Sequence, residues 1–216
     1  MSRSMLQRGI VAPEPKSLRR VTEIPTTFPI TVAEAKLHAH IDTSTDDADV
    51  TAWIQLATRT VEQFTRRTLI TTVWRMTYDA LPFDFFTIPA IPRIIRLFRP
   101  PIISLDEIEF VKEDDSTSLF TLSDLIVDTN SEPGRVSLRP GVEWPSGLRL
   151  IDAVRIKYTA GYGATGASVP EAFRTAIKRL VGTMAENRED IIIGQSVVDI
   201  PFGTKAILAP YQIQVL

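Results

Sequence analysis

Cysteine is absent from the 216-residue chain, which excludes a disulfide framework, a thiolate metal site and a cysteine nucleophile and fits a reducing compartment. Histidine is nearly as scarce. The only two, His38 and His40, stand two positions apart, and on a helix that spacing turns them to different sides, so they cannot share a metal ion. No uncharged stretch reaches the length of a membrane span. The opening MSRSMLQRGIVAPEPKSLRR has no apolar run long enough for a signal peptide, so the expectation is a soluble protein made in the cytoplasm. No H-E-x-x-H, G-x-S-x-G or Walker A pattern occurs. The acids that remain for catalysis are Asp46, Asp47 and Asp49 in one turn and Glu186, Glu189 and Asp190 in another. Both groups sit where acids ordinarily cap a helix or stay solvated. Neither an enzymatic activity nor a cofactor is expected.

What is present is ample material for a core. Hydrophobic residues make up 44% of the chain, enough for one globular domain with arms. The net charge of −2 argues against general nucleic-acid binding, which needs a basic surface. The charge is uneven, however. Arg3, Arg8, Lys16, Arg19 and Arg20 outnumber Glu14 and Glu23 in the first 25 residues, and the remainder is acidic. Residues 1–29 thus read as a basic, proline-containing arm, either solvated or held by a partner.

Two motifs fail in context. Gly161, Gly163 and Gly166 spell G-x-G-x-x-G after an alternating strand, the bare pattern of a dinucleotide-binding turn. In such a turn the helix opens at the glycines. Here Ser168 and Glu171 have capping-box spacing and Pro170 sits in the first turn, which starts the helix after the last glycine. The glycines are read instead as a sharp passage from strand to helix. Asp42, Ser44 and Asp46 resemble the start of a calcium loop, but Asp47 holds the glycine position and Trp53 the bidentate glutamate position. Calcium is rejected.

The hydrophobic period places the elements. Thr31 and Glu34 form a capping box for a short helix, VAEAKLHAH. Val50, Trp53, Ile54, Ala57, Val61 and Phe64 mark a second helix, and Phe173, Ala176, Ile177, Leu180, Val181 and Met184 a long C-terminal one. From Leu69 the period becomes two, with Ile70, Thr72, Trp74, Met76 and Tyr78 on one face. Further strands are expected near 105–111, 125–128, 135–138 and 153–159, with turns at 112–118 and 194–195. Arg93, Arg96 and Arg99 recur every third residue, which no strand can place on one face. They are candidates for an intersubunit or phosphate contact on an extended segment.

The expected fold is therefore α+β: a mostly helical body of two N-terminal helices and a long C-terminal helix, an inserted antiparallel β region at about 69–159, and an extended tail. The arm is 1–29, the main domain 30–200 and the tail 201–216. That tail carries Phe202, Ile207, Leu208, Tyr211, Ile213 and Leu216 with Lys205 as its one charged side chain. Such a segment is too apolar to be left in water. It is expected to dock on another protein, its own core being the other destination.

Several strings, in order, resemble the head-tail connector proteins of long-tailed bacteriophages and gene transfer agents, also called adaptor or head-completion proteins. They are ITVAEAKLHAHID, DDADVTAWIQLATRTVEQFTRRTLITTVW, PGRVSL, YTAGYG, VPEAFRTAIKRLVGTMAENRE and PFGTKAILAPYQ, spanning about Ile30 to Gln212. The resemblance implies a structural virion protein without a catalytic site. It implies a ring, typically dodecameric, below the portal protein, meeting the next neck or stopper protein and enclosing a channel through which DNA passes without sequence-specific binding. It also implies assembly in the bacterial cytoplasm into the neck of a particle, and no membrane. Two other classes stay open: a nucleic-acid-binding module using the arm with Arg93, Arg96 and Arg99, and a hydrolase using the acidic turns.

Overall fold

The hydrophobic period switches after Thr68, and four residues later, after Thr72, a helical unit hands the chain to a β unit. The computed structural model describes residues 15–21, 27–80, 94–187 and 200–214. The β unit gathers the described parts of 1–21, 73–97 and 102–159, and the helical unit those of 22–72, 98–101 and 160–216.

In the helical unit, α1 (Val32–Ala39), α2 (Asp47–Thr65), α3 (Glu171–Glu186) and α4 (Phe202–Leu208) enclose one core. The stripe read from sequence is its centre: Val50, Ile54, Ala57 and Val61 of α2 are buried against Phe173, Ala176, Ile177 and Val181 of α3, with Trp53, Phe64 and Met184 at its margin. Each such side chain contributes about 1.5–3 kcal/mol on full burial. The Thr31 capping box forms, with the Glu34 N–H donating to Thr31 Oγ1 at 3.1 Å and the Thr31 N–H to Glu34 Oε2 at 2.8 Å. The Thr31 amide holds the Glu34 carboxyl below its ordinary pKa. Arg174 of α3 pairs with Glu34 and donates to the Pro29 carbonyl, tying the start of α1 to α3.

The second capping box does not form. The N-cap of α3 is Pro170, without a side-chain cap, and Ser168 closes a single 3-10 turn over Gly166–Ser168. Glu171 pairs instead with Arg174 and Lys178. The glycines before this turn are required by close approach. Gly161 has φ +135°, and a Cβ there would lie 2.6 Å from the Thr71 nitrogen; at Gly166 it would lie 2.5 Å from the Pro29 carbonyl oxygen. Backbone passing over backbone, with no space for a pyrophosphate, is what the motif encodes.

The β unit contains a five-stranded sheet and a three-stranded sheet. In the first, β1 (Ser17–Arg20), β2 (Thr72–Tyr78), β8 (Val154–Ala160), β4 (Ile102–Val111) and β5 (Thr117–Leu119) lie in the order β1-β2-β8-β4-β5. The second has β3 (Ile95–Leu97), β7 (Gly134–Leu138) and β6 (Leu125–Asp128) in the order β3-β7-β6. Thr72, Trp74, Met76 and Tyr78 are all buried, as alternation requires. Burial also pushes the Tyr78 hydroxyl pKa up. Phe110, Phe120 and Trp144 pack as an aromatic cluster with ring centroids 4.9–5.8 Å apart.

This architecture corrects the expectation of a mostly helical body with a long C-terminal helix. Among the described residues eight strands in two antiparallel sheets stand beside four short helices, and α3, at 16 residues, is shorter than α2 at 19. The β content was underread because β1, β3 and β5 are only three or four residues long. Such pieces become strands through their sheet partners and show no period of their own.

Gly161→Ala tests the close approach. The variant is expected to lose about 3 kcal/mol or more, because both the positive φ and the backbone contact forbid a methyl group. Urea denaturation should show it as a fall in midpoint.

Candidate functional site

The described residues hold no group of three or more His, Asp or Glu side chains able to bind a metal ion. No described helix is long and apolar enough to cross a membrane. Of the acidic turns, Asp46 is the N-cap of α2, Asp47 pairs with Lys36 at 2.7 Å, and Glu189 and Asp190 lie outside the described residues. Glu34, Asp114, Asp128 and Asp152 are all held below the ordinary carboxylate range, the opposite of what a proton donor needs.

The strongest contact feature of the β unit is the loop before β8. Leu150 and Ile151 are 89% and 74% exposed, and the residues on either side fix them there. Arg149 reaches Asp115 at 3.1 Å and Asp152 at 2.9 Å; Arg155 reaches Asp152 at 2.6 Å and Glu109 at 3.1 Å. The Asp152 N–H donates to Asp79 Oδ1 at 3.0 Å. Hydrogen bonds from Arg155, then its charge and that of Arg149, hold the Asp152 carboxyl down in pKa. The bracket leaves two aliphatic side chains in water beside an open groove lined by Glu113 and Arg149. Apolar groups on a loop held in this way make effective contact points, since less backbone freedom is left to lose on binding. Sequence reading missed them, yet a signal existed: two adjacent aliphatic residues directly before the alternation of β8 cannot both face one core.

A second apolar surface lies on β6, where Ile126 is 46% and Val127 37% exposed. The turn that follows is held by Asp128, whose Oδ1 accepts the Asn130 N–H at 3.0 Å and whose Oδ2 accepts Arg135 Nη2 at 2.6 Å and the Ser131 hydroxyl at 2.8 Å. Arg135 above all, then Ser131, push its carboxyl down to about 2.

In the helical unit the tail divides. Leu208 is buried in the core, while Phe202, on the first turn of α4, is 87% exposed. Tyr211 stacks on Phe173 with centroids 4.8 Å apart, Ile207 and Ile213 are half-buried, and the Ile213 N–H donates to the Thr65 carbonyl at 3.0 Å. Leu216 lies outside the described residues. Leu37 and Leu56 are also exposed. Pro201 and Pro210 fit this course, since the first is the N-cap of α4 and the second sits inside the 3-10 turn Ala209–Tyr211.

Arg93 lies outside the described residues, Arg96 is the middle residue of β3, and Arg99 belongs to the helical unit. There Arg99 Nη1 donates to the Glu62 carbonyl at 2.8 Å.

No protein-family model matches the sequence, and no curated protein does. Solved structures do match in fold. A chain from the neck of an empty gene transfer agent (GTA) particle, computed with C6 symmetry, superimposes with a TM-score of 0.71 at 22% identity, covering 93% of this chain and 97% of that one. A chain from the virion of a native gene transfer agent gives 0.70 at 21%, over 92% and 97%. A chain from the neck of a native GTA particle, computed with C12 symmetry, gives 0.69 at 22%, over 93% and 97%. The shared property is the fold of nearly the whole chain.

Two predictions test this surface. Asp128 should titrate near pH 2 by carbon-detected NMR, and Arg135→Ala should raise the value. Since pairing favours the charged form, its contribution is complete above the ordinary carboxylate range and is lost as pH falls through about 2. In the tail, Leu208→Ala should cost about 2–5 kcal/mol as a core truncation. Phe202→Ser should change stability by less than about 0.5 kcal/mol, so calorimetry of the two variants separates core from contact.

Proposed function

We propose that this chain is a structural subunit of the neck of a phage-like particle, an adaptor that forms a ring below the portal and continues the channel for DNA. One observation carries the reading: its fold matches chains of GTA neck structures over 93% of its own length and 97% of theirs. The order of sequence strings that resemble the connector proteins points the same way.

The surface fits a ring subunit. A closed ring requires two different surfaces on each copy that meet head to tail, and this chain carries separate exposed apolar groups, Leu150 and Ile151 on one unit and Leu37 and Phe202 on the other. The first pair serves as a lateral contact, and Phe202, with the apolar end of the tail, serves the portal. The next neck protein, the stopper, meets the ring on its other side. DNA passes without sequence-specific binding, which suits a chain of net charge −2, because a strongly basic lumen would retain it. The role is structural and needs neither catalysis nor cofactor.

The test is mass. Light scattering and native mass spectrometry of the chain, alone at high concentration and mixed with its portal protein, should give a closed ring in at least the mixture. A strictly monomeric species in both samples refutes the proposal. Phe202→Ser should fold normally and bind the portal at least tenfold more weakly.

A further inference from the structure

Four strands lie at the outside of the two sheets among the described residues: β1, β5, β3 and β6. Exposed edges invite further strands, and proteins commonly blunt them with charge or proline. β1 carries Arg19 and Arg20, β3 carries Arg96, and β5 is short and follows Asp114 and Asp115. β6 keeps its one charge, Asp128, at its far end, where it bonds to Arg135 of β7. Its first three residues are Leu125, Ile126 and Val127, and the last two are exposed.

The register shows which backbone groups face outward. Ile126 lies opposite Ser137 and Asp128 opposite Arg135, and the Arg139 N–H donates to the Asp124 carbonyl at 2.9 Å. In an antiparallel pair, hydrogen-bonded positions alternate, so Asp124, Ile126 and Asp128 bond toward β7. Leu125 and Val127 point the other way. The Leu125 N–H is used by the Leu122 carbonyl, which leaves the Leu125 carbonyl and both backbone groups of Val127 aimed at the open edge.

The geometry points to an occupant from a second copy: we propose that residues 9–12 of a neighbouring chain, Gly-Ile-Val-Ala, add to β6 as a further strand. Three facts favour this segment. It is an uncharged run containing two β-branched residues between Arg8 and Glu14, and Pro13 ends it. Its residues stand three to six positions before Pro15, so the run can extend about 10–20 Å beyond it. The charges also complement, since Arg8 directly precedes the run and the half-buried Asp124 directly precedes β6. Ile10 and Val11 would then form cross-strand pairs with Ile126 and Val127. The inference assigns one lateral contact and rests on the assembly reading only in needing a second copy.

Two full-length variants test it. Val127→Pro removes an outward donor while leaving the bonds between β6 and β7 intact. The arm variant carries Ile10→Asp and Val11→Asp. Both should melt within a few degrees of the parent, and each alone should self-associate at least tenfold more weakly. Mixed, they should form a complex of two chains, because the intact arm of one meets the intact edge of the other. The outcomes separate the two proposals. If the parent forms rings and both variants do so equally well, arm exchange is refuted and the neck reading stands. If the parent self-associates through arm and edge but never closes a ring, alone or with the portal, arm exchange stands and the neck reading falls; a parent that stays monomeric at every concentration overturns arm exchange. Failure of the mixture to pair overturns the inference, as does hydrogen-exchange protection of the Val127 amide that persists in the parent at dilutions where it is monomeric, which would put the arm on its own chain.

Discussion

The last turn of α2 is where the helical unit is tied together. A helix ends with four carbonyls that have no partner inside it, and at α2 this end lies in the interior, where unpaired polar groups are costly. The chain satisfies them from distant segments. Arg99 donates to the Glu62 carbonyl and the Ile213 N–H to that of Thr65, while the buried Glu62 carboxylate accepts the Leu69 N–H at 3.0 Å. Arg67, also buried, donates to the Tyr211 carbonyl at 2.7 Å and reaches the Tyr162 hydroxyl at 3.3 Å. Thr68 bonds the carbonyls of Arg99 and Pro100. Residues 62–69, 99–100, 162 and 211–213 are therefore held at one buried point. The tail enters the core because its backbone supplies partners that the helix end lacks.

That constraint changes how the tail acts. Anchored through Leu208, Tyr211 and Ile213, it does not trail as a loose peptide; it presents Phe202 at the start of a short helix. The loop at Leu150 and Ile151 follows the same physical rule with different means. An exposed ion pair contributes little to stability by itself, but several pairs converging on Asp152 fix a geometry. In both places the chain spends polar groups on holding apolar ones in water. The fold that carries these surfaces is shared with chains of GTA particles.

Much of this was legible beforehand where the signal is local and periodic. The α2 and α3 stripes, the alternation at 70–78, the Thr31 capping box and the strand at 125–128 follow from side-chain spacing alone. Where a residue's role depends on what lies across from it, spacing misled. Ser168 and Glu171 have the capping-box spacing, but Pro170 takes the cap position and Glu171 turns to Arg174 and Lys178. Of the three regularly spaced arginines, Arg96 is in a strand and Arg99 is in the helical unit, with φ +63°, while Arg93 lies outside the described residues.

The sequence by itself determined the elements with a clear period and the departure of two strings from the nucleotide and calcium patterns, because each depends on residue type and spacing within one turn or strand. Only the tertiary structure decided the balance of helix and sheet, since β1, β3 and β5 exist through their partners. It also decided which tail residues are core and which are surface, and why Gly161 and Gly166 must be glycine. Those outcomes depend on backbone segments far apart in the chain meeting within van der Waals or hydrogen-bond distance, and no local pattern encodes which segments meet.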